Sequence, residues 1–132
     1  MRPGFYKGNK VVEVLKNGGP IHPYDEHFRF GIQKAKLLLA ALTIIREFAA
    51  NTADDGTTTV ASQVVRDEAT GCQICVWVEM HPEFEHSSGV TIDKPWLQIE
   101  AIPLGSGAHI GLGVQKAKAI CAVARQLRTW LA

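Results

Sequence analysis

Twice along the chain, alternating patterning gives way to helical patterning at a glycine. His27-Phe28-Arg29-Phe30 alternates polar with apolar, and beyond Gly31 the apolar residues return with helical spacing. Winding residues 32–49 gathers Leu37, Leu38, Ala41, Leu42, Ile44, Ile45, Phe48 and Ala49 on one broad side. Gln33, Lys36, Thr43, Arg46 and Glu47 fall on the other. The change recurs at Gly113. Ile110 and Leu112 alternate with small residues, and then Ala119, Ile120, Val123, Ala124, Leu127, Trp130 and Leu131 turn inward. Gln115, Lys118, Arg125, Arg128 and Thr129 turn out. The pattern predicts two long amphipathic helices, each entered from a short strand through a tight glycine turn.

The remaining segments read as strands. Asn9 to Leu15 ends at the turn Asn17-Gly18-Gly19-Pro20, and Thr57 to Arg66, Cys72 to Met80 and Trp96 to Ile102 are separated by Gly, Asp, Ser and Pro. Gly105-Ser106-Gly107 reads as a hairpin loop before the last strand. The expected order is ββα followed by ββββα, with the first unit short or its missing strands within Pro20 to Glu26. The fold class expected is α+β: antiparallel sheet or sheets with two long helices, in a single domain over residues 1–132.

The two helical segments also match in sequence. Residues 27–49 and 109–131 align without a gap and share His27/His109, Gly31/Gly113, Gln33/Gln115, Lys34/Lys116, Ala35/Ala117, Lys36/Lys118, Ala40/Ala122 and Arg46/Arg128. Self-similarity backed by matching periodicity is the mark of a duplicated supersecondary unit. Two copies are too few for a solenoid and point to an internal pseudo-two-fold.

Composition sets the class. The chain has 132 residues, 46% hydrophobic and 20% charged, enough for a core without staples. Met1-Arg2-Pro3-Gly4 has no apolar run behind it, and the apolar stretch from Leu37 to Ile45 is too short for a bilayer. With three cysteines, an odd count, these features predict a cytoplasmic chain with reduced thiols and no membrane partner.

Charge is unevenly spread. Residues 1–50 hold eight Lys/Arg and four Asp/Glu, residues 51–100 hold two and nine, and residues 101–132 hold four and none. Two basic segments flank an acidic middle, which marks an anion-binding surface or internal charge matching.

The chemistry begins at the helix starts. Gln33, Lys34 and Lys36, and again Gln115, Lys116 and Lys118, sit in the first turns, where the helix dipole favours anions rather than cations. Lysines beside free backbone N–H groups suit phosphates, and a two-fold would pair the two clusters. The alternative is that they solubilise the ends of very apolar helices. Alternation also puts Trp77 and Trp96 on the polar side of a sheet, where indoles stack on bases or meet another copy of the chain in a homo-oligomer. Glu79 and Glu100 share that side and oppose a phosphate backbone. Arg29, on the first strand–turn–helix unit, completes the set of candidate nucleic-acid-binding residues.

Other motifs carry less. Cys72-Gln73-Ile74-Cys75 has no second pair, and in a strand its thiols face opposite ways. His81-Pro82-Glu83-Phe84-Glu85-His86 reads as an exposed acidic loop rather than a metal site. The glycines from Gly105 to Gly113 are off the phosphate-loop pattern. No nucleophile recurs with His27 and His109. The sequence shows no catalytic constellation and implies no metal and no cofactor.

The order of four strands and a helix, used twice, resembles the positive cofactor four and Whirly proteins, which bind single-stranded nucleic acid. Phe30-Gly31-Ile32-Gln33-Lys34-Ala35-Lys36 before an apolar helix also resembles small prokaryotic proteins. The lysine-glycine-lysine-alanine-alanine strand motif of plant Whirly proteins is absent. The resemblance covers residues 50–131 and part of 1–50, and implies binding through sheet residues such as Trp77 and Trp96. Two function classes follow. One is a non-enzymatic module for single-stranded DNA or RNA. The alternative is a protein–protein assembly module with no nucleic-acid affinity.

Overall fold

The computed structural model describes residues 1–14, 28–67, 71, 73–102 and 109–132. The protein is α+β, and the described residues form two antiparallel sheets and three helices. Sheet 1 comprises β1 (Arg2–Tyr6), β2 (Asn9–Val14) and β3 (Phe28–Gly31), in that order. It leads into α1 (Ile32–Ala40) and α2 (Leu42–Asn51). Sheet 2 comprises β4 (Gln63–Arg66), β5 (Gln73–Glu85), β6 (Val90–Ile102) and β7 (His109–Gly113), and leads into α3 (Val114–Leu131).

Both sheets bury one face against the helices, and a single core results. Val12, Val14, Phe28 and Phe30 of sheet 1 join Ile74, Val76, Leu97, Ile99, Ile110 and Leu112 of sheet 2 around Leu38, Ile45, Phe48, Ile120 and Leu127. The helices reach across: α1 packs on β3 and β6, and α3 on β7 and β2. Helical periodicity gave the apolar faces correctly, since every inward residue expected of 32–49 is buried except half-buried Ala49. Ala35 and Ala117, each between two lysines, are fully buried. The alanine of each Lys-Ala-Lys is therefore a packing residue.

Several expectations need correction. The helix over 32–49 is two helices, broken at Ala41 (φ −98°, ψ 12°). The Ile44 N–H closes an i→i+3 bond on the Ala41 carbonyl at 3.0 Å, where the turn tightens. No proline or glycine marks the place. Thr57 to Arg66 is strand only over Gln63–Arg66. Ahead of it, Thr52 bridges to Thr58 around Gly56, whose φ of +92° would strain any side chain and where an added Cβ would displace the Met80 thioether. Residues 81–85 are not a loop, because β5 continues to Glu85. The expected Asn17–Pro20 turn, strands within Pro20–Glu26 and Gly105–Gly107 loop lie outside the described residues.

Beyond the reach of β4, which pairs only with Gln73–Val76, and of β7, which pairs only with Trp96–Glu100, β5 and β6 run on as a two-stranded arm. Pro82 faces Asp93 and Pro95 faces Met80, two pairs of the same parity. In an antiparallel ladder that parity is the one whose backbone groups point away from the partner strand. Pro82, exposed, thus leaves no N–H on its bare side, which resists strand addition there, whereas Pro95 is buried.

Candidate nucleic-acid interface

At one end of sheet 1 the chain turns in two residues. Lys7 (φ 50°) and Gly8 (φ 81°) join Tyr6 to Asn9, both with the positive φ that a type I′ hairpin turn requires. The ring of Tyr6, 50% exposed, has the Lys7 ammonium 5.5 Å and the Arg29 guanidinium 5.3 Å from its centre. Cross-strand register puts Arg2 and Arg29 on either side of Glu13 on this outer face. Arg2 Nε donates to the Glu13 carboxylate at 2.8 Å, so the carboxylate of the outer face is buried and neutralised. Phe5, on the opposite face of the hairpin, is 78% exposed.

Because β3 runs back towards that turn, Gly31 lies opposite Val11 and α1 opens at the same end. Gln33, Lys34 and Lys36 are all exposed there. Lys10 Nζ donates to the Trp130 carbonyl at 3.1 Å and lies 5.0 Å over its indole, tying the last turn of α3 to this end as well.

That tie decides where the second lysine cluster lies. The 18 residues of α3 span about 27 Å at ~1.5 Å per residue, so its start is at the far end. The two lysine-tipped helix starts are therefore not on one shared surface. α1 begins where α3 finishes, and the expected pairing of four lysines and two glutamines fails for that reason. Lys116 instead places its ammonium 5.6 Å over Trp96 and 5.2 Å over Phe28. With Gln115 and Lys118 it lines a groove of about 960 Å³ shared with Trp96, the end of α2 and the arm.

The outer face of sheet 2 carries both tryptophans, as alternation requires, but also two histidines. Trp77 stacks on His109 (6.1 Å, 20°) and His81 on Trp96 (5.5 Å, 17°). Beneath them Gln98 is buried, its Oε1 2.7 Å from His109 Nε2. Gly111 and Gly113 lie opposite Gln98 and Trp96, and a Cβ on Gly111 would stand 3.2 Å from the Trp96 ring. The sequence signal was the i, i+2, i+4 run Trp77, Glu79, His81, together with the alternate glycines Gly111 and Gly113 of the last strand. Cys75 is a half-buried free thiol on this face, and Cys72 lies outside the described residues. Among the described residues, no three His, Cys, Asp or Glu side chains converge as a metal would need.

Glu79 is the acid of this pavement that the Trp77 indole and His81 hold. The Trp77 indole N–H donates to it at 2.8 Å and His81 Nε2 lies 3.2 Å away, and these contacts hold its carboxyl below the ordinary value of 4.5. A depressed carboxyl adds stability that is present above its unfolded pKa and is lost as pH falls through the folded one. The Trp77 indole resonance is expected to shift in acid with a midpoint below 4.5, and not to do so in Glu79→Gln. A midpoint at or above the ordinary value contradicts the contact.

Among the described residues no helix is long and apolar enough to cross a membrane. No family model, curated protein or solved structure matches the chain.

Proposed function

We propose that the protein is a non-catalytic module that binds single-stranded DNA or RNA at the turn end of sheet 1. The observation that carries this reading is the Tyr6 ring flanked by the Lys7 and Arg29 cations, at the end where Lys34 and Lys36 open α1. Bases stack on a tyrosine or on a guanidinium plane lying against it, and the surrounding cations take the phosphates. The site thus keeps Arg29, Gln33, Lys34 and Lys36 and adds Phe5, Tyr6 and Lys7. The outer face of sheet 2 fits a polyanion less well, since Glu79 and Glu100 share it with Trp77 and Trp96.

The reading includes an origin by duplication, in which the chain is a fused pseudo-dimer. Five identities in the six-residue window from Gly31 and Gly113 support it, as does the start of both helices at the residue after that glycine. A cytoplasmic setting is part of the proposal, in keeping with the free thiols of Cys75 and Cys121.

Fluorescence anisotropy with a labelled mixed-sequence single strand at low salt tests it. Binding is expected, weakened about 5- to 150-fold in Tyr6→Ala, the range a stacked base is worth. No binding at low salt refutes the reading. One observation favours assembly instead: Met80, Phe84, Val90 and Ile92 of the arm are exposed apolar residues. That reading predicts oligomers that persist in salt and ignore oligonucleotides.

A further inference from the structure

The groove at the start of α3 differs in chemistry from the end of sheet 1. Its cations are Lys94, Lys116 and Lys118, and they are matched by Asp54, Glu83 and Glu85. A polyanion threaded through would pass three carboxylates. An amphoteric ligand meets both signs. From this geometry we infer that the groove holds one nucleoside monophosphate unit, either a free nucleotide or the 5′-phosphorylated end of a strand.

Each part of such a unit has a counterpart. A volume of about 960 Å³ is that of a small-molecule site. Trp96 offers a flat floor for a base and is fixed before any ligand arrives. Its ring lies against the backbone of Gly111 and Gly113, and His81 stacks beside it at 5.5 Å. A platform already in place needs no ordering on binding. Carboxylates accept hydrogen bonds from the exocyclic amino groups of bases, which Glu83 and Glu85 on the arm can supply. The phosphate falls to the lysines. The flexible stem of Lys116 lets its ammonium leave the Trp96 ring for an anion while Lys118, exposed, faces the groove mouth. Phe84, 51% exposed on the arm, adds an aromatic side chain to the lining.

The inference uses none of the residues of the sheet 1 end, so the two stand or fall apart. The test is nitrogen-edited NMR of the full chain, following the Trp96 indole N–H while adenosine monophosphate is added. Saturable shifts are expected, with adenosine alone and inorganic phosphate alone each binding at least ~10-fold more weakly, since each keeps one half of the recognition. Lys118→Ala, an exposed change that leaves the fold alone, is expected to weaken binding about 10-fold, and Trp96→Leu, followed at the backbone N–H of Gly113 instead, about 5- to 150-fold.

A 5′-phosphorylated oligonucleotide that displaces the nucleotide where its 5′-hydroxyl twin does not assigns the site to strand ends. Displacement by neither assigns it to free nucleotide. No shift at Trp96 up to about 10 mM, well beyond a millimolar Kd, overturns the inference, as does inorganic phosphate matching the nucleotide or Lys118→Ala binding like the parent. A chain that binds oligonucleotides yet ignores the nucleotide loses this site alone.

Discussion

Raising the salt from about 50 to about 200 mM is expected to weaken single-strand binding roughly 50-fold. Four cations stand clear at the turn end of sheet 1: Lys7 and Arg29 beside Tyr6, and Lys34 and Lys36 on α1. Arg2 is taken by Glu13 and Lys10 by the Trp130 carbonyl, so neither is counted. About four phosphates neutralised on a single strand give a slope of roughly −2.8 in log K against log salt, and a fourfold rise in salt then weakens binding by about 50. Replacing Lys34 and Lys36 together by Glu removes half of those contacts and adds repulsion. It is expected to weaken binding more than 10-fold at low salt and to halve the slope. Both side chains are exposed, so the melting temperature should hold within a few degrees. Anisotropy titrations at several salt concentrations read all of this. A flat salt dependence, or a double variant with unaltered slope, would mean that the strand does not lie across this end.

Helix faces were legible because burial follows a period that tertiary contacts did not disturb: Leu38, Ile45, Ile120 and Leu127 are all essentially inaccessible. β1 was not legible. Arg2-Pro3-Gly4 reads as a loop, and an edge strand whose side chains are mostly exposed has no alternation to show. The arm failed for a related reason, since Pro82 and the acidic residues around it argue against a strand unless the proline faces a bare edge. Thr57–Thr59 erred the other way: β-branched residues suggested a strand where a Thr52–Thr58 bridge closes a loop.

At the sites, alternation put Trp77 and Trp96 on one face, but only register brings His81 and His109 against them. The helix-start lysines were found and then wrongly gathered together. A two-fold would make their positions equivalent, and equivalence is not proximity when one helix begins where the other ends.

Phe48→Ala is expected to cost about 3–5 kcal/mol and to lower the melting temperature by roughly 10–20 °C, because Phe48 is a fully buried aromatic in a close-packed core. Its place makes the change more than a cavity experiment. Phe48 lies on α2, which follows sheet 1, and α2 packs along α3, which follows sheet 2. Trp77, Trp96 and Trp130, the tryptophans of the chain, all belong to the second half. Tryptophan fluorescence therefore reports the half that the substitution does not touch, while far-UV circular dichroism reports both. If one core joins the two sheets, the two signals fall together in guanidinium, and both midpoints move by the full amount in the variant. Two halves merely laid side by side would behave otherwise. The dichroism transition would split or broaden, and the fluorescence midpoint would stay where it was. An unmoved fluorescence midpoint would thus overturn the shared core, and with it the tie between Lys10 and the last turn of α3 that sets the two lysine clusters at opposite ends.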